Sequence, residues 1–187
     1  MWSPDHRAAP GRLVRWAAIL AAAALTAACF QPLYGERAPG EPGIRTALAS
    51  VEVGQIAAPN GTPEARVAVA LRNQVVFLLT GGAGGISPTH RLKIDIKTNK
   101  SAMIIDIATG RTEAEIVGID ASFQLTELAT KKVVVNGSSF ARVSSDIPGE
   151  QQRFAHTRAQ REAEDRAAGV IAEQIRSRLA SHFVAGT

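Results

Sequence analysis

Between Arg91 and Val143 apolar and polar residues alternate so regularly that the stretch specifies a half-buried sheet. Leu92, Ile94 and Ile96 alternate with Arg91, Lys93, Asp95 and Lys97, and the pattern is expected to run on through Met103 to Ile107 past a bulge or bend near Asn99. The chain returns across Gly110, and Val117, Ile119, Ala121, Phe123 and Leu125 then take every second place. A turn near Ala129-Thr130-Lys131 leads to Val133, Val135 and the stretch Ser139 to Val143. A period of two sends successive side chains to opposite faces. Short connections between such segments favour antiparallel hairpins. One more strand is expected earlier, over Leu48 to Ala57, where Val51 and Val53 alternate with polar neighbours.

An apolar sheet face needs a cover, and two helical segments supply it. Asn60-Gly61-Thr62-Pro63 is a helix start, with Thr62 as N-cap and Pro63 at the first helical position. From there Val67, Leu71, Val75, Leu78 and Leu79 recur at spacings of three and four, while Arg66, Arg72 and Asn73 fall elsewhere on the wheel. Gly81 and Gly82 end the helix as a left-handed cap does. The run Gly81 to Gly85 is no phosphate loop, since no Lys-Ser or Lys-Thr follows it. Pro148-Gly149 breaks the strand pattern, and a long helix is expected from about Glu150. Its inner stripe is Ala159, Ala163, Ala167, Val170, Ile171, Ile175, Leu179 and Phe183. Arg158, Arg161, Glu162, Glu164, Asp165, Arg166, Arg176 and Arg178 mix both signs and read as a solvated face. The order strand, helix, three strands, helix makes an α+β sandwich, a sheet with two helices on one face.

The N-terminus sets where that domain sits. Arg7, Arg12 and Arg15 form a basic start, Trp16 to Ala28 is an unbroken run of apolar residues and Thr, and Ala27-Ala28 closes it. A bilayer core about 30 Å thick takes roughly 20 apolar residues in a helix, so this run is too short to span. It reads as a cleaved signal over residues 1–28. Cys29 follows directly and is the only cysteine in the chain, which leaves it no internal disulfide partner. Leu25-Thr26-Ala27-Ala28-Cys29 is similar to a lipobox, with Thr26 where Leu is usual, and its thiol is the nucleophile that takes up a diacylglyceryl chain. Cys29 is therefore the expected lipidation site, and Phe30 after it, rather than Asp, points to the outer membrane. Residues 29–43 are the expected lipidated N-terminus and tether, with two Pro and two Gly between Glu36 and Gly43. Residues 44–187 form a single domain facing the periplasm, of a size that supports its own core.

Charge and composition narrow the function. Net charge falls from +4 to +2 once the signal takes three arginines and one aspartate with it. A nucleic-acid binder needs a clustered basic field, so no nucleic-acid partner is expected. An enzyme has little support. His90, His156 and His182 are scattered, no Gly-x-Ser-x-Gly occurs, and an acylated Cys29 leaves no catalytic thiol. Asp95 and Asp106 read as solvated or turn carboxylates rather than as an acid pair. No cofactor and no metal site is expected.

Three stretches carry a resemblance to a known family. Cys29-Phe30-Gln31-Pro32-Leu33-Tyr34-Gly35, the segment Ser122 to Gly137 around Leu-Thr-Glu-Leu-Ala-Thr-Lys, and Ala-Glu-Gln-Ile-Arg-Ser-Arg-Leu-Ala at 172–180 resemble the lipopolysaccharide-assembly lipoproteins, the LptE-like proteins. The resemblance implies two helices packed on a mostly antiparallel four-stranded sheet. It also implies a place inside the large LptD-like outer-membrane β-barrel that inserts lipopolysaccharide, as a plug and assembly aid, and binding of lipopolysaccharide itself. Another envelope adaptor without lipopolysaccharide binding is the alternative, and a tethered periplasmic enzyme a more distant one. Within the first reading Arg91, Lys93, Lys97 and Lys100 are the candidates for lipid A phosphate, the first three sharing one face of an alternating strand. Asp95 lies among them and opposes a phosphate. The competing reading is that this is simply the wet side of the sheet.

Overall fold

A computed structural model describes residues 43–82, 86–105, 107, 112–147 and 153–185. The signal, Cys29, the tether up to residue 42, Gly110 and the Pro148-Gly149 break lie outside the described residues. The elements run α1 (Ile44–Ala49), β1 (Val51–Val53), α2 (Pro63–Thr80), β2 (His90–Ile105), β3 (Thr112–Glu127), β4 (Val133–Asp146) and α3 (Arg153–Ala185).

The four strands make one sheet in the order β1-β2-β3-β4. β1 runs parallel to β2, and the other pairings are antiparallel. The expected α+β class and mostly antiparallel sheet are what the chain adopts. In register, Leu92 faces Leu125 and Val135, Ile94 faces Phe123 and Gly137, and Ile96 faces Ala121 and Ser139. These rows form the inner side. The outer rows are Arg91, Thr126 and Val133, then Lys93, Gln124 and Asn136, then Lys97, Asp120 and Phe140.

Each alternation read from the sequence is therefore a strand, with details moved. The irregularity of β2 lies between Ala102 and Ile104 rather than near Asn99. The strand expected over Leu48 to Ala57 is cut to Val51–Val53, because Ile44 and Leu48, four residues apart and both buried, turn the preceding stretch into the helix α1. After β1 the Gly54 amide donates to the Leu92 carbonyl at 2.9 Å, and pairing stops there. The β3–β4 turn places Lys131 at φ 61, with the Thr130 hydroxyl donating to Glu127 at 2.6 Å.

The helices form the second layer. α2 starts where expected: the Thr62 side chain accepts the Ala65 amide at 3.2 Å, Pro63 opens the helix, and Gly81 at φ 64 closes it. α2 packs on α3 and on the β1–β2 side, α3 packs on β3 and β4, and α1 sits against both helices and β1. Leu71, Val75, Ile171, Ile175, Leu179, Leu92, Ile119 and Leu125 are fully buried between the layers. On α3 the buried positions fall in adjacent pairs, Ala163/Glu164, Ala167/Ala168 and Ile171/Ala172, so its inner stripe is two columns wide. Val170, expected inside, is 46% exposed because the second column runs through Ala168 and Ala172 instead. Phe183 is half-buried and meets the His90 ring edge-on at 5.2 Å. No helix among the described residues is long and apolar enough to cross a membrane.

Candidate functional site

Strand parity decides where the four predicted cations go. Arg91, Lys93 and Lys97 are odd-numbered on β2 and point to the outer face, where all three are exposed. Lys100 has the parity of Leu92 and Ile94 and lies on the helix side, with its ammonium 3.6 Å from the Glu164 carboxylate. The structure thus brings the first three together and separates the fourth. Two of those three also have carboxylate partners. Arg91 Nη2 lies 3.0 Å from Glu52, and Lys93 Nζ lies 3.2 Å from Asp95. Lys97 makes no ion pair with a described residue and stands opposite Asp120 in register.

Further along the outer face lies a cluster that sequence reasoning missed. The Arg142 Nη2 donates to both Asp120 oxygens at 2.8 and 3.0 Å, and Asn99 Nδ2 donates to the same carboxylate at 3.3 Å. The Arg142 guanidinium lies 5.9 Å from the centre of the Phe140 ring, and that ring is 68% exposed. Only the alternation of β2, β3 and β4, laid in register, brings these four residues together.

Inside, Glu164 was assigned to a solvated helix face and is in fact buried, at 3% exposure. Arg66 donates to its Oε2 from Nη2 at 2.7 Å and from Nε at 3.1 Å, so a carboxylate that burial would penalise is met by two cations, Arg66 and Lys100. A cavity of about 300 Å³ opens beside it, lined by Pro63, Glu64, Val67, Thr98, Lys100 and Glu164 among others. There the Thr98 hydroxyl donates to Glu64 at 2.6 Å and holds that carboxyl below its ordinary value of 4.5. The histidines stay apart from this cluster. His156 faces Glu115 at 3.6 Å, and His90, whose pKa burial pushes below 6.5, meets Phe183 beside His182. Asp95 is the Lys93 partner, and Asp106 lies outside the described residues. No group of three or more metal-binding side chains stands together among the described residues. The described site is one of surfaces, with a closed core on one side of the sheet and an exposed, ion-paired face on the other.

Comparison with known proteins gives this architecture a context. The model of the LptE family, described as lipopolysaccharide-assembly, matches residues 48–179. Among solved structures, a protein of Caulobacter crescentus CB15 described as a lipoprotein is similar with a TM-score of 0.61 and 20% identity, over 77% of this chain and 97% of that one. Lipoprotein B of Nitrosomonas europaea gives 0.51 and 14% identity, over 81% and 94%. The rare lipoprotein B of Shewanella oneidensis gives 0.50 and 12%, over 72% and 96%. At these identities the likeness is one of fold. No curated protein shows significant sequence similarity to the chain.

Proposed function

The chain belongs to the lipopolysaccharide-assembly family, and from that premise we propose that it is the lipoprotein subunit of the outer-membrane lipopolysaccharide translocon. Family membership gives it a part in lipopolysaccharide assembly at the outer membrane. The finer reading is ours. An acylated Cys29 holds the chain to the periplasmic leaflet, the domain plugs the lumen of an LptD-like β-barrel and aids its assembly, and lipopolysaccharide binds to it in transit. It acts as an assembly factor and not as an enzyme.

The observation that supports this reading is the division of the sheet. Its large apolar side chains are spent on the helix-covered core, with Leu92, Ile94, Ile119, Phe123 and Leu125 all at or below 3% exposure. Its other face is long and polar, which suits a body enclosed by the watery lumen of a barrel. For lipopolysaccharide, Arg91, Lys93 and Lys97 are the proposed phosphate contacts on that face. Arg91 and Lys93 would have to exchange Glu52 and Asp95 for the phosphate, and Lys97 has no described carboxylate to exchange. Lys100 contributes indirectly, through Glu164.

Two measurements test the parts separately. Affinity purification of the tagged lipoprotein from gently solubilised outer membranes should yield the large lipopolysaccharide-transport barrel in a one-to-one ratio; its absence would end the plug reading. Lipopolysaccharide binding by the soluble domain made without Cys29, compared with the same domain bearing Arg91, Lys93 and Lys97 all changed to Ser, should show a salt-dependent loss. Equal binding by a folded triple variant would reduce this stripe to solvated sheet surface.

A further inference from the structure

On the reading that the chain plugs a barrel, we propose that an extended segment of the barrel polypeptide adds as a fifth strand to the free edge of β4, in the groove between that edge and the flank of α3. β4 ends the sheet, and parity fixes which of its main-chain groups are left over. The Gly54 amide donates to the Leu92 carbonyl, so even-numbered residues of β2 face β1 and odd-numbered ones face β3. Carried through both antiparallel registers, odd-numbered residues of β4 face β3, and Asn136, Ser138, Phe140, Arg142 and Ser144 turn N–H and C=O outward. Arg166 agrees, since its Nη2 donates to the outward Ser144 carbonyl at 3.1 Å. The two edges of the sheet differ in kind. On the far side β1 has three residues, and β2 beyond it carries Lys93, Asp95, Lys97, Lys100 and an irregularity between Ala102 and Ile104, all of which deter pairing. β4 has fourteen residues with no Pro and no Lys, and its one cation, Arg142, is tied down to Asp120. Such an edge is a template for another strand.

The closing helix selects the occupant. α3 lies more beneath β4 than beneath β3. On its flank Arg166, Val170, Gln174, Ser177 and Ser181 recur at spacings of three and four, and so share one side. Arg166 meets the edge at Ser144, and Arg178 and Ser181 line a groove of about 360 Å³ with Val134, Asn136 and Ala185 at its other end. The flank therefore follows the edge along most of its length. A strand about 4.8 Å beyond β4 sets every second side chain over that flank and covers Val170, which is 46% exposed. A second copy does not fit there. Joined by antiparallel β4–β4 pairing, two copies put both α3 helices on one side of the sheet beneath strands about 4.8 Å apart, whereas packed helices stand about 8–10 Å apart. A lone strand, with no helix of its own beneath it, meets no such clash. Arg178 is exposed and makes no ion pair with a described residue, so the added strand carries a carboxylate there and an apolar side chain over Val170.

Full-length lipidated protein co-expressed with the barrel of its own organism provides the test. Co-purification of the parent chain is measured first. Ser138→Pro removes one outward N–H and leaves the ladder to β3 whole, which an edge strand accepts, and Gly137 before it tolerates the restriction that Pro imposes. It should lower the co-purified barrel about tenfold, the worth of one main-chain hydrogen bond. Ser138→Ala, which keeps the amide, should leave the barrel unchanged, and Arg178→Glu should lower it. In the parent complex the amides of Ser138, Phe140 and Arg142 should exchange with deuterium at least about tenfold more slowly than in the lipoprotein purified alone. That measurement decides the matter if Ser138→Pro proves unfolded in a thermal scan. If the parent brings down no barrel, the plug reading fails and this one with it. If the parent does so while a folded Ser138→Pro matches it, or while the three amides exchange at the same rate in both states, the plug stands and the edge is unoccupied. A loss with Ser138→Ala equal to that with Ser138→Pro would put the contact in the side chain and overturn strand addition. So would a dimer of the parent, seen by its mass in solution, that Ser138→Pro splits into single chains.

Discussion

Glu164 of the closing helix receives Arg66 of the first long helix at 2.7 Å, and its side chain is only 4% exposed. The pair joins α3 to α2, and Lys100 adds β2 from the opposite side at 3.6 Å. Arg66→Ala leaves a buried carboxylate with the more distant ammonium alone, and should lower the unfolding free energy by about 1–3 kcal/mol. In a double-mutant cycle with Glu164→Ala, the coupling should be about 0.5–3 kcal/mol. Denaturant unfolding of the two single variants and the double measures it. A coupling of zero would mean that the contact does not join the helices.

Gly137 lies within β4 and leaves room for a ring. It faces Phe123 on the inner side, and a Cβ there would stand 2.8 Å from the ring's Cζ. Gly137→Ala should therefore cost about 1–3 kcal/mol through overpacking. Adding Phe123→Leu should recover part of that loss, because the smaller side chain vacates the place. A double variant no more stable than Gly137→Ala would refute the ring contact as the cause.

The core stripes make the plainest claim. Leu71 and Ile175 are both fully buried, and truncating either to Ala should cost about 2–5 kcal/mol. Asn73→Ala, on the exposed side of α2, should change stability by less than about 0.5 kcal/mol. Equal effects at the three positions would contradict the packing.

Acid sensitivity follows from Glu64. Its pKa in the folded chain lies below 4.5 because Thr98 donates to the carboxylate. A lowered carboxyl pKa contributes stability that is present above the unfolded value and is lost as pH falls through the folded one. Thr98→Val should move the Glu64 titration, followed by NMR, upward toward 4.5 and shrink the acid-side loss. An unmoved titration would assign the shift to another group.

Lipidation rests on the lone Cys29 after Ala27-Ala28. Cys29→Ser should abolish acylation and leave uncleaved or misprocessed precursor. Mass spectrometry finding normal maturation in that variant would remove the anchor from the account.

The sheet and the helix ends were legible because each is written in local pattern. Alternation needs only neighbours two apart, and Thr62, Pro63 and Gly81 act within one helical turn. Glu164 was misread because a wheel of mixed charges looks wet from any single column. The signal was present all the same: Glu164 stands four residues before Ala168 and eight before Ala172, in a column otherwise made of small buried residues. Parity alone sets Lys100 apart from Arg91, Lys93 and Lys97, since an even number on this strand means the helix side; its Glu164 partner, on another element, was not legible. The cluster of Asn99, Asp120, Phe140 and Arg142 was out of reach. It depends on the register of three strands, and a shift of one residue moves every side chain to the other face.

The length of β2 has a consequence of its own. Its sixteen residues, at about 3.4 Å each, reach roughly 50 Å, more than the 40–45 Å of a bilayer with its headgroups. A domain seated in the proposed barrel with β2 along the membrane normal would span the full height of the membrane. His90 and the Lys131 turn lie at one end of the sheet, and Met103, Ile105 and Ile107, all more than half exposed, at the other. In such a seat the two ends of one strand would meet opposite faces of the membrane, the histidine and lysine end at one and the apolar Met103 to Ile107 end at the other.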